Sequence, residues 1–174
     1  MGAVRTIMYE LGQTADSDEL DQLLGTEAEF PHVNYALAPQ NRVLLSSRRI
    51  KAIWMKNGSG GALNPNEVLT PKSGSAHKEV GGVTGSAGTG VGAVDPFVSS
   101  VADGKYFWMI VEGPAKARAS GSISANAILI PASTGEVTTV TNDAPGSLSA
   151  CGRALTAASN ANDIIDVVWK FNRV

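Results

Sequence analysis

Six consecutive apolar residues, Tyr106 to Val111, constrain the fold of this chain more than any other feature. A run without polar residues cannot alternate between a core and water, so it predicts a strand that is covered on both faces. Glu112-Gly113-Pro114 then predicts a break in that strand. Ala115 to Ala119 alternates small apolar with basic residues, which is typical of a strand with one buried face. Ala127 to Ile130 is the next short apolar strand.

The composition indicates one turn-rich β domain. The chain has 174 residues, of which 43% are hydrophobic, and it contains 19 glycines and 8 prolines, which favours strands over helices. Its net charge of −2 provides no general basic field, so we expect no direct binding of nucleic acid or of an anionic membrane. We also expect no membrane span and no signal peptide. The lone Cys151 permits no internal disulfide and predicts a small buried residue rather than a reactive thiol.

Residues 1–45 differ from the remainder and predict an N-terminal arm. A short helix is expected at about 16–24, with Asp16 as its N-cap and Gly25 after its end. Phe30 to Pro39 has a proline near each end and bulky residues at irregular spacing, which indicates an extended segment lying on another surface. That surface is either a neighbouring molecule or the chain's own domain.

Charge is segregated along this part of the sequence. The seven acidic residues of the first fifty lie between Glu10 and Glu29. Five basic residues follow, namely Arg42, Arg48, Arg49, Lys51 and Lys56. Two explanations remain open: two solvated faces, or complementary charge between neighbouring subunits.

Residues 46–174 predict a small β-barrel or compact sandwich. Ile50 to Lys56 is a strand with Trp54 as a core anchor. A Gly-rich stretch at 74–92 predicts either a long mobile loop or two short strands with wide turns. In the closing strand, Ile164 to Phe171, alternate residues from Ile165 to Phe171 share one face. The even spacing of short strands predicts an all-β fold with an extended N-terminal arm.

Few residues suggest chemistry. His32 and His77 are expected at the surface, and no catalytic or nucleotide-binding motif is present. Three basic residues offer a phosphate or carboxylate site or, as the simpler interpretation, a solvated strand face: Lys116, Arg118 and Arg153. Tyr106, Phe107 and Trp108 form either a stacking platform for bases or sugars or part of the core, and their apolar run favours the core.

The order of elements resembles the small capsid decoration, or cement, proteins of tailed bacteriophages. The matching pieces are Tyr106 to Pro114, the Ala-x-Ala strand from Ala115 to Ala119, Ile123-Ser124-Ala125, Gly135-Glu136-Val137, and Gly152 to Ala158 before a final strand. The resemblance covers residues 93–174 and, less clearly, 49–71. The first 45 residues and the Gly-rich stretch have no counterpart in it.

The resemblance implies a β-barrel-like, non-enzymatic protein without cofactors. It would bind the major capsid protein on the outer surface of the virion, often as a homotrimer, and would be assembled in the host cytoplasm. An arm that reaches a neighbour adds avidity, because its second contact is intramolecular once the domain is bound. The candidate capsid- or subunit-contact residues are Tyr9, Leu11, Phe30, Tyr35, Leu37, Arg48 and Arg49.

Two other functions remain open. One is a carbohydrate- or receptor-binding β module of a head fibre or adhesion structure, which exposed aromatic residues in a groove would favour. The other is a small hydrolase, which requires His32 or His77 beside an acid and a serine.

Overall fold

The computed structural model describes residues 9–16, 18–75, 78–83, 90–140 and 150–171, and their fold is all-β. The strands are β1 (Thr14–Ala15), β2 (Glu27–Val33), β3 (Leu44–Asn57), β4 (Val68–Pro71), β5 (Glu79–Val83), β6 (Gly92–Val94), β7 (Tyr106–Arg118), β8 (Ile128–Pro131), β9 (Val137–Thr139), β10 (Gly152–Ala154) and β11 (Ile164–Lys170). Short 3-10 helices lie at Asp18–Leu23, Pro39–Asn41 and Ser133–Gly135. No helix in these ranges is long and apolar enough to cross a membrane.

Strand β7 is the centre of the fold, as its apolar run predicts. One of its edges pairs with β3, from Lys56 opposite Tyr106 to Lys51 opposite Glu112. The other edge pairs in turn with β1, β6 and β11. Tyr106, Phe107 and Trp108 are each at most 2% exposed, so the prediction that they form core rather than a stacking platform is confirmed.

Two small closed rings of strands share β7. The first ring runs β3-β5-β4-β6-β7 and closes through the β3–β7 pairing. Its interior holds one apolar cluster, which includes Met55, Leu69, Val80, Phe107 and Met109. This closure confirms a barrel-like architecture and leaves these strands without free edges along their paired lengths.

The second ring runs β7-β11-β10-β8-β9. It closes where Ala119 bridges Val137 and the Ser120 amide donates to the Val137 carbonyl. Its interior is lined by small and branched residues, including Ala117, Leu129 and Cys151. Ile165, Val167, Trp169 and Phe171 point inward from one face of the closing strand and are at most 7% exposed, which confirms the predicted alternation.

The predicted break at Glu112-Gly113-Pro114 is wrong, because β7 continues through it to Arg118. The strand instead contains a bulge: Lys51 faces Glu112, whereas the next residue, Ala52, faces Ile110. One extra residue reverses which side of a strand faces the core. Trp108 before the bulge and Ala117 after it therefore lie in the same apolar cluster although their sequence positions differ in parity.

The N-terminal segment packs on its own domain. Strand β2 pairs with β3 from Glu27 opposite Ile53 to Val33 opposite Leu44. The predicted helix at about 16–24 is wrong in type and length: Asp18–Leu23 is a 3-10 helix, too short for the expected α-helical turns. The chain leaves it at Gly25, where φ is +85°, and Leu23 and Leu24 pack against the core.

The segregated charges pair within the chain. Arg42 binds Glu10 with an N–O distance of 2.6 Å, and both terminal guanidinium nitrogens, Nη1 and Nη2, donate hydrogen bonds to the carboxylate. Lys51 lies 3.8 Å from Glu29, and Lys56 lies 3.8 Å from Asp21. The acidic segment folds back over the basic strand, so the opposite charges pair within one molecule. This arrangement differs from both explanations considered for the sequence, two solvated faces and pairing between subunits.

The Gly-rich stretch at 74–92 contains strand β5 and the first residue of β6, so its described part fits the predicted short strands rather than one long loop. Residues 76–77, which include His77, and residues 84–89 lie outside the described residues, as do residues 142–146, whose sequence Asn-Asp-Ala-Pro-Gly predicts a turn.

Candidate protein-interaction site

Strands β3 and β7 diverge at Lys51 and Glu112, and we call the space between them the fork. Beyond this point β3 (its residues 44–50) pairs only with β2, while β7 (its residues 113–116) pairs only with β11, as far as the described residues show. The facing edges of the two strands are therefore open. The sequence gives no direct signal of this feature, because it depends on two segments about sixty residues apart.

Gly113 sets the point of divergence. Its φ of +104° is a conformation that favours glycine. A side chain there would collide with the carbonyl oxygen of Arg49 and would lie 3.0 Å from the Cα of Ile50. Only a residue without a Cβ permits this close approach before the strands separate, so this glycine shapes the mouth of the fork.

The backbone of β7 turns hydrogen-bonding groups toward the fork. The Lys170 amide donates to Cys151 and the Asp166 carbonyl accepts from Leu155, so both residues direct their backbone groups toward β10. Their partners across the ladder are Glu112 and Lys116, which must therefore direct their own backbone groups away from β11. Pro114 lies between these two residues, a position that suits an open edge because proline lacks an N–H.

A groove with a volume of about 700 Å³ occupies the fork. The β2–β3 hairpin forms one wall and the outer side of β7, β10 and β11 forms the other. Two shallower depressions of about 620 Å³ and 380 Å³ continue it, and Arg48 and Val168 line all three. The side chains that line this groove include Leu45, Arg48, Leu155 and Val168.

Exposed apolar residues surround the groove. Leu44 is 62% exposed, Leu45 52% and Leu155 47%. Ile128, which lines one of the depressions, is also exposed. Leu45, Leu155 and Ile128 line the groove or its extension, whereas Leu44 lies on the opposite side of β3 from Leu45. Large apolar side chains gathered on one face, as the first three are, mark interaction surfaces. In the sequence, the run from Val43 to Leu45 beside Arg48-Arg49 is the one signal of this face, and it has no helical or strand periodicity.

Four cations give this face a positive potential. Lys51 lies 3.5 Å from Glu112, and Lys116 lies 3.1 Å from Asp166, so those two charges are compensated. Four other exposed basic side chains line the groove and its extensions, and we call them the basic face: Arg48, Arg49, Arg153 and Lys170. Among the described residues, no carboxylate lies within 4.0 Å of their charged groups. A local excess of four positive charges on a chain of net charge −2 favours an acidic partner.

His32 lies in the groove wall with its Nδ1 2.8 Å from the Ser46 hydroxyl oxygen. Burial lowers the pKa of His32, and the negative charge of Asp166 opposes that shift. Among the described residues, no carboxylate accepts a hydrogen bond from the His32 ring, and Asp166 instead accepts from Lys116. The described part of the chain thus brings a serine hydroxyl to His32 without a carboxylate bonded to the ring.

The predicted contact residues divide into two groups. Four of them pack on the chain's own core: Tyr9, Leu11, Phe30 and Tyr35. Leu11 is 1% exposed and Tyr35 8%, while the Phe30 ring lies 5.1 Å from that of Trp108. The other three, Leu37, Arg48 and Arg49, are exposed.

The three basic residues considered for phosphate or carboxylate binding do not form one site. Arg118 is held inside the chain, since its Nη2 lies 3.1 Å from Glu67 and donates to the Thr134 carbonyl at 2.8 Å. Lys116 binds Asp166, and Arg153 donates to the Asn126 carbonyl. No group of three potential metal ligands occurs among the described residues.

Comparison with known proteins gives a likeness to a solved structure. No family model matches the chain, and no curated protein matches it. Among solved structures, the fold is similar to that of the head fiber gp8.5 N base in bacteriophage phi29, with a TM-score of 0.50. The likeness covers 72% of this chain and 98% of that chain, at 12% sequence identity. At this identity the comparison establishes a shared fold.

Proposed function

We propose that this chain is a structural protein of a phage head that attaches to the outer surface of the shell. The observation that carries the proposal is the fold shared with almost the whole of a head-fibre base. The element order that resembles decoration proteins supports the same class independently. Within that class the chain acts either as a decoration protein that reinforces the shell or as the base of a head fibre.

The exposed face around the fork supports attachment through protein contacts. It combines apolar side chains with the basic face, and interfaces between proteins join such apolar and charged groups. The proposed partner is the major capsid protein. Assembly as a homotrimer in the host cytoplasm belongs to the same proposal, and mass measurement of the purified protein tests the oligomeric state.

Binding of a carbohydrate or receptor is the second candidate for a head-fibre component. The aromatic run that offered a stacking platform is buried, so it gives no support to sugar binding. Phe97 is the aromatic residue that lines the groove, and it packs against Tyr35 with ring centroids 5.4 Å apart.

Co-sedimentation with phage heads that lack this protein tests the proposal. We expect the full chain to bind such heads and Arg48→Glu to bind about tenfold more weakly, because it reverses one charge of the basic face. Lys78→Glu is the matched control, since Lys78 is exposed and lies outside the groove. Absence of binding by the unaltered chain would contradict attachment to the shell and would favour the receptor-binding module.

A further inference from the structure

We propose that the fork accepts an extended protein segment of alternating apolar and acidic residues, which adds to the open edge of β3 or β7 as a further strand. The identity of the protein that carries this segment, the shell protein, rests on the proposed function. The chemistry of the segment rests on the fork itself.

The backbone geometry indicates a strand rather than a globular surface. An unpaired strand edge presents N–H and C=O groups that a second chain satisfies by β-addition. Here two such edges face one another across a groove, and Lys116 directs its backbone groups into it. A strand seated there would extend the sheet from the point where the Lys51–Glu112 pairing stops.

The side chains around the fork specify the composition of the segment. In an added strand, alternate residues face opposite sides. One set would cover the exposed Leu45 and Leu155, and the other would reach the basic face. Apolar residues suit the first set and acidic residues the second, since Arg48 and its three neighbours on that face have no carboxylate within salt-bridge distance among the described residues.

The acidic segment of this chain is a poor occupant. The carboxylates of Glu10, Asp21 and Glu29 already bind Arg42, Lys56 and Lys51 within the molecule. Occupation by a second copy would require these pairs to break, so the basic face favours a segment from a different protein.

Two short synthetic peptides test the inference with the full chain. One alternates glutamate with valine and the other alternates lysine with valine. We expect the glutamate peptide to bind with a Kd at least about tenfold lower than the lysine peptide, and this difference to shrink at high salt. Arg48→Glu should abolish the preference, whereas Lys78→Glu should retain it. Equal binding of the two peptides, or a preference that Arg48→Glu leaves intact, would overturn the inference.

Hydrogen exchange locates the bound segment. On addition of the glutamate peptide, amide exchange should slow at residues 44–49 of β3 or at Lys116, while the turn around Lys78 stays unchanged. Protection confined to other regions would show that the fork is not the acceptor.

The same readouts separate the inference from the proposed function. Binding to heads with no protection in the fork and no competition by the glutamate peptide would contradict the inference alone. Peptide binding in the fork without attachment to heads would contradict the proposed function alone.

Discussion

The ring of Tyr9 stacks on that of Trp54, with centroids 5.3 Å apart and planes inclined by 16°. The backbone carbonyl of Tyr9 also accepts a hydrogen bond of 2.8 Å from Trp108 Nε1. This partly buried residue therefore covers the outer side of β3 and β7 and packs against the hydrophobic core, although it precedes the first strand.

Replacing Tyr9 with alanine should lower the free energy of unfolding by about 2 kcal/mol, through loss of apolar burial and of the ring contact with Trp54. Chemical denaturation measures this change. Tyr9→Phe is the control and should remain within about 0.5 kcal/mol of the unaltered chain, because it keeps the ring. A small effect of Tyr9→Ala would show that the packing of Trp54 does not require the ring of Tyr9 against it.

Deleting residues 1–45 should prevent folding rather than release a smaller stable domain. The deletion removes β2, which pairs along much of β3, and it uncovers Trp54 and Trp108. Circular dichroism and the dispersion of amide resonances would report the loss. A soluble, cooperatively folding product of 46–174 would contradict this expectation and would identify the first 45 residues as a separable arm.

Gly113→Ala should destabilise the fold by more than about 3 kcal/mol, because the new methyl group meets the backbone of Arg49 and Ile50 rather than a flexible side chain. Thermal and chemical denaturation test this. Gly61→Ala is the matched control, since a Cβ there meets nothing within 4 Å. Similar stabilities of the two variants would mean that β3 and β7 separate without the need for glycine.

The buried Asp95 should make the fold more stable in mild acid. Burial raises the pKa of its carboxyl from 3.8 to about 6, although the amides of Phe97 and Gly12 donate to it. The folded state then binds the proton more tightly than the unfolded state. This contribution is complete below the ordinary pKa and is lost as the pH rises through about 6.

Comparison of the unaltered chain with Asp95→Asn isolates that effect from other titrating groups. The difference in unfolding free energy should shift in favour of the unaltered chain by about 2 kcal/mol between neutral pH and about pH 4. Glu10 acts in the opposite direction, because its hydrogen bond to Arg42 lowers the pKa of Glu10, but it is present in both proteins. A difference that does not vary with pH would show that Asp95 titrates normally.

Cys151 should be unreactive in the folded protein. It is 2% exposed, and burial raises the pKa of its thiol to about 12. Reaction with a disulfide reagent should be at least about a thousandfold slower than in the unfolded chain, because thiolate is the reactive form. Rapid modification of the native protein would reveal frequent opening between β8 and β10.

Local patterns in the sequence predict the parts of this fold that depend on neighbouring residues. The apolar run from Tyr106 and the alternation from Ile165 to Phe171 correctly identify a fully covered strand and a half-covered one. Gly113 misled the prediction because Gly-Pro commonly ends a strand. Here the glycine permits a close approach of β7 to the backbone of Arg49, which is distant in sequence.

The candidate site was less predictable for the same reason. The fork arises where β3 and β7 part, and that point is set by long-range pairing rather than by a motif. Charge segregation predicts Arg48 and Arg49 as contact residues, but it does not reveal that Arg42, Lys51 and Lys56 pair with carboxylates of the same chain. Leu44 and Leu45 of β3 form no helical or strand period, so periodicity does not predict them as interaction residues.

Because β7 pairs with β3 and β6 before it and with β11 after it, the first ring can close once β7 has been made, whereas the second ring cannot close until Ile164–Lys170 has left the ribosome. Contacts this far apart in sequence slow folding and favour an all-or-none transition. During synthesis the C-terminal half of β7 and the inward-facing residues of β8 thus stay uncovered after the first ring has formed. A chaperone or a rapid C-terminal docking step would have its greatest effect there.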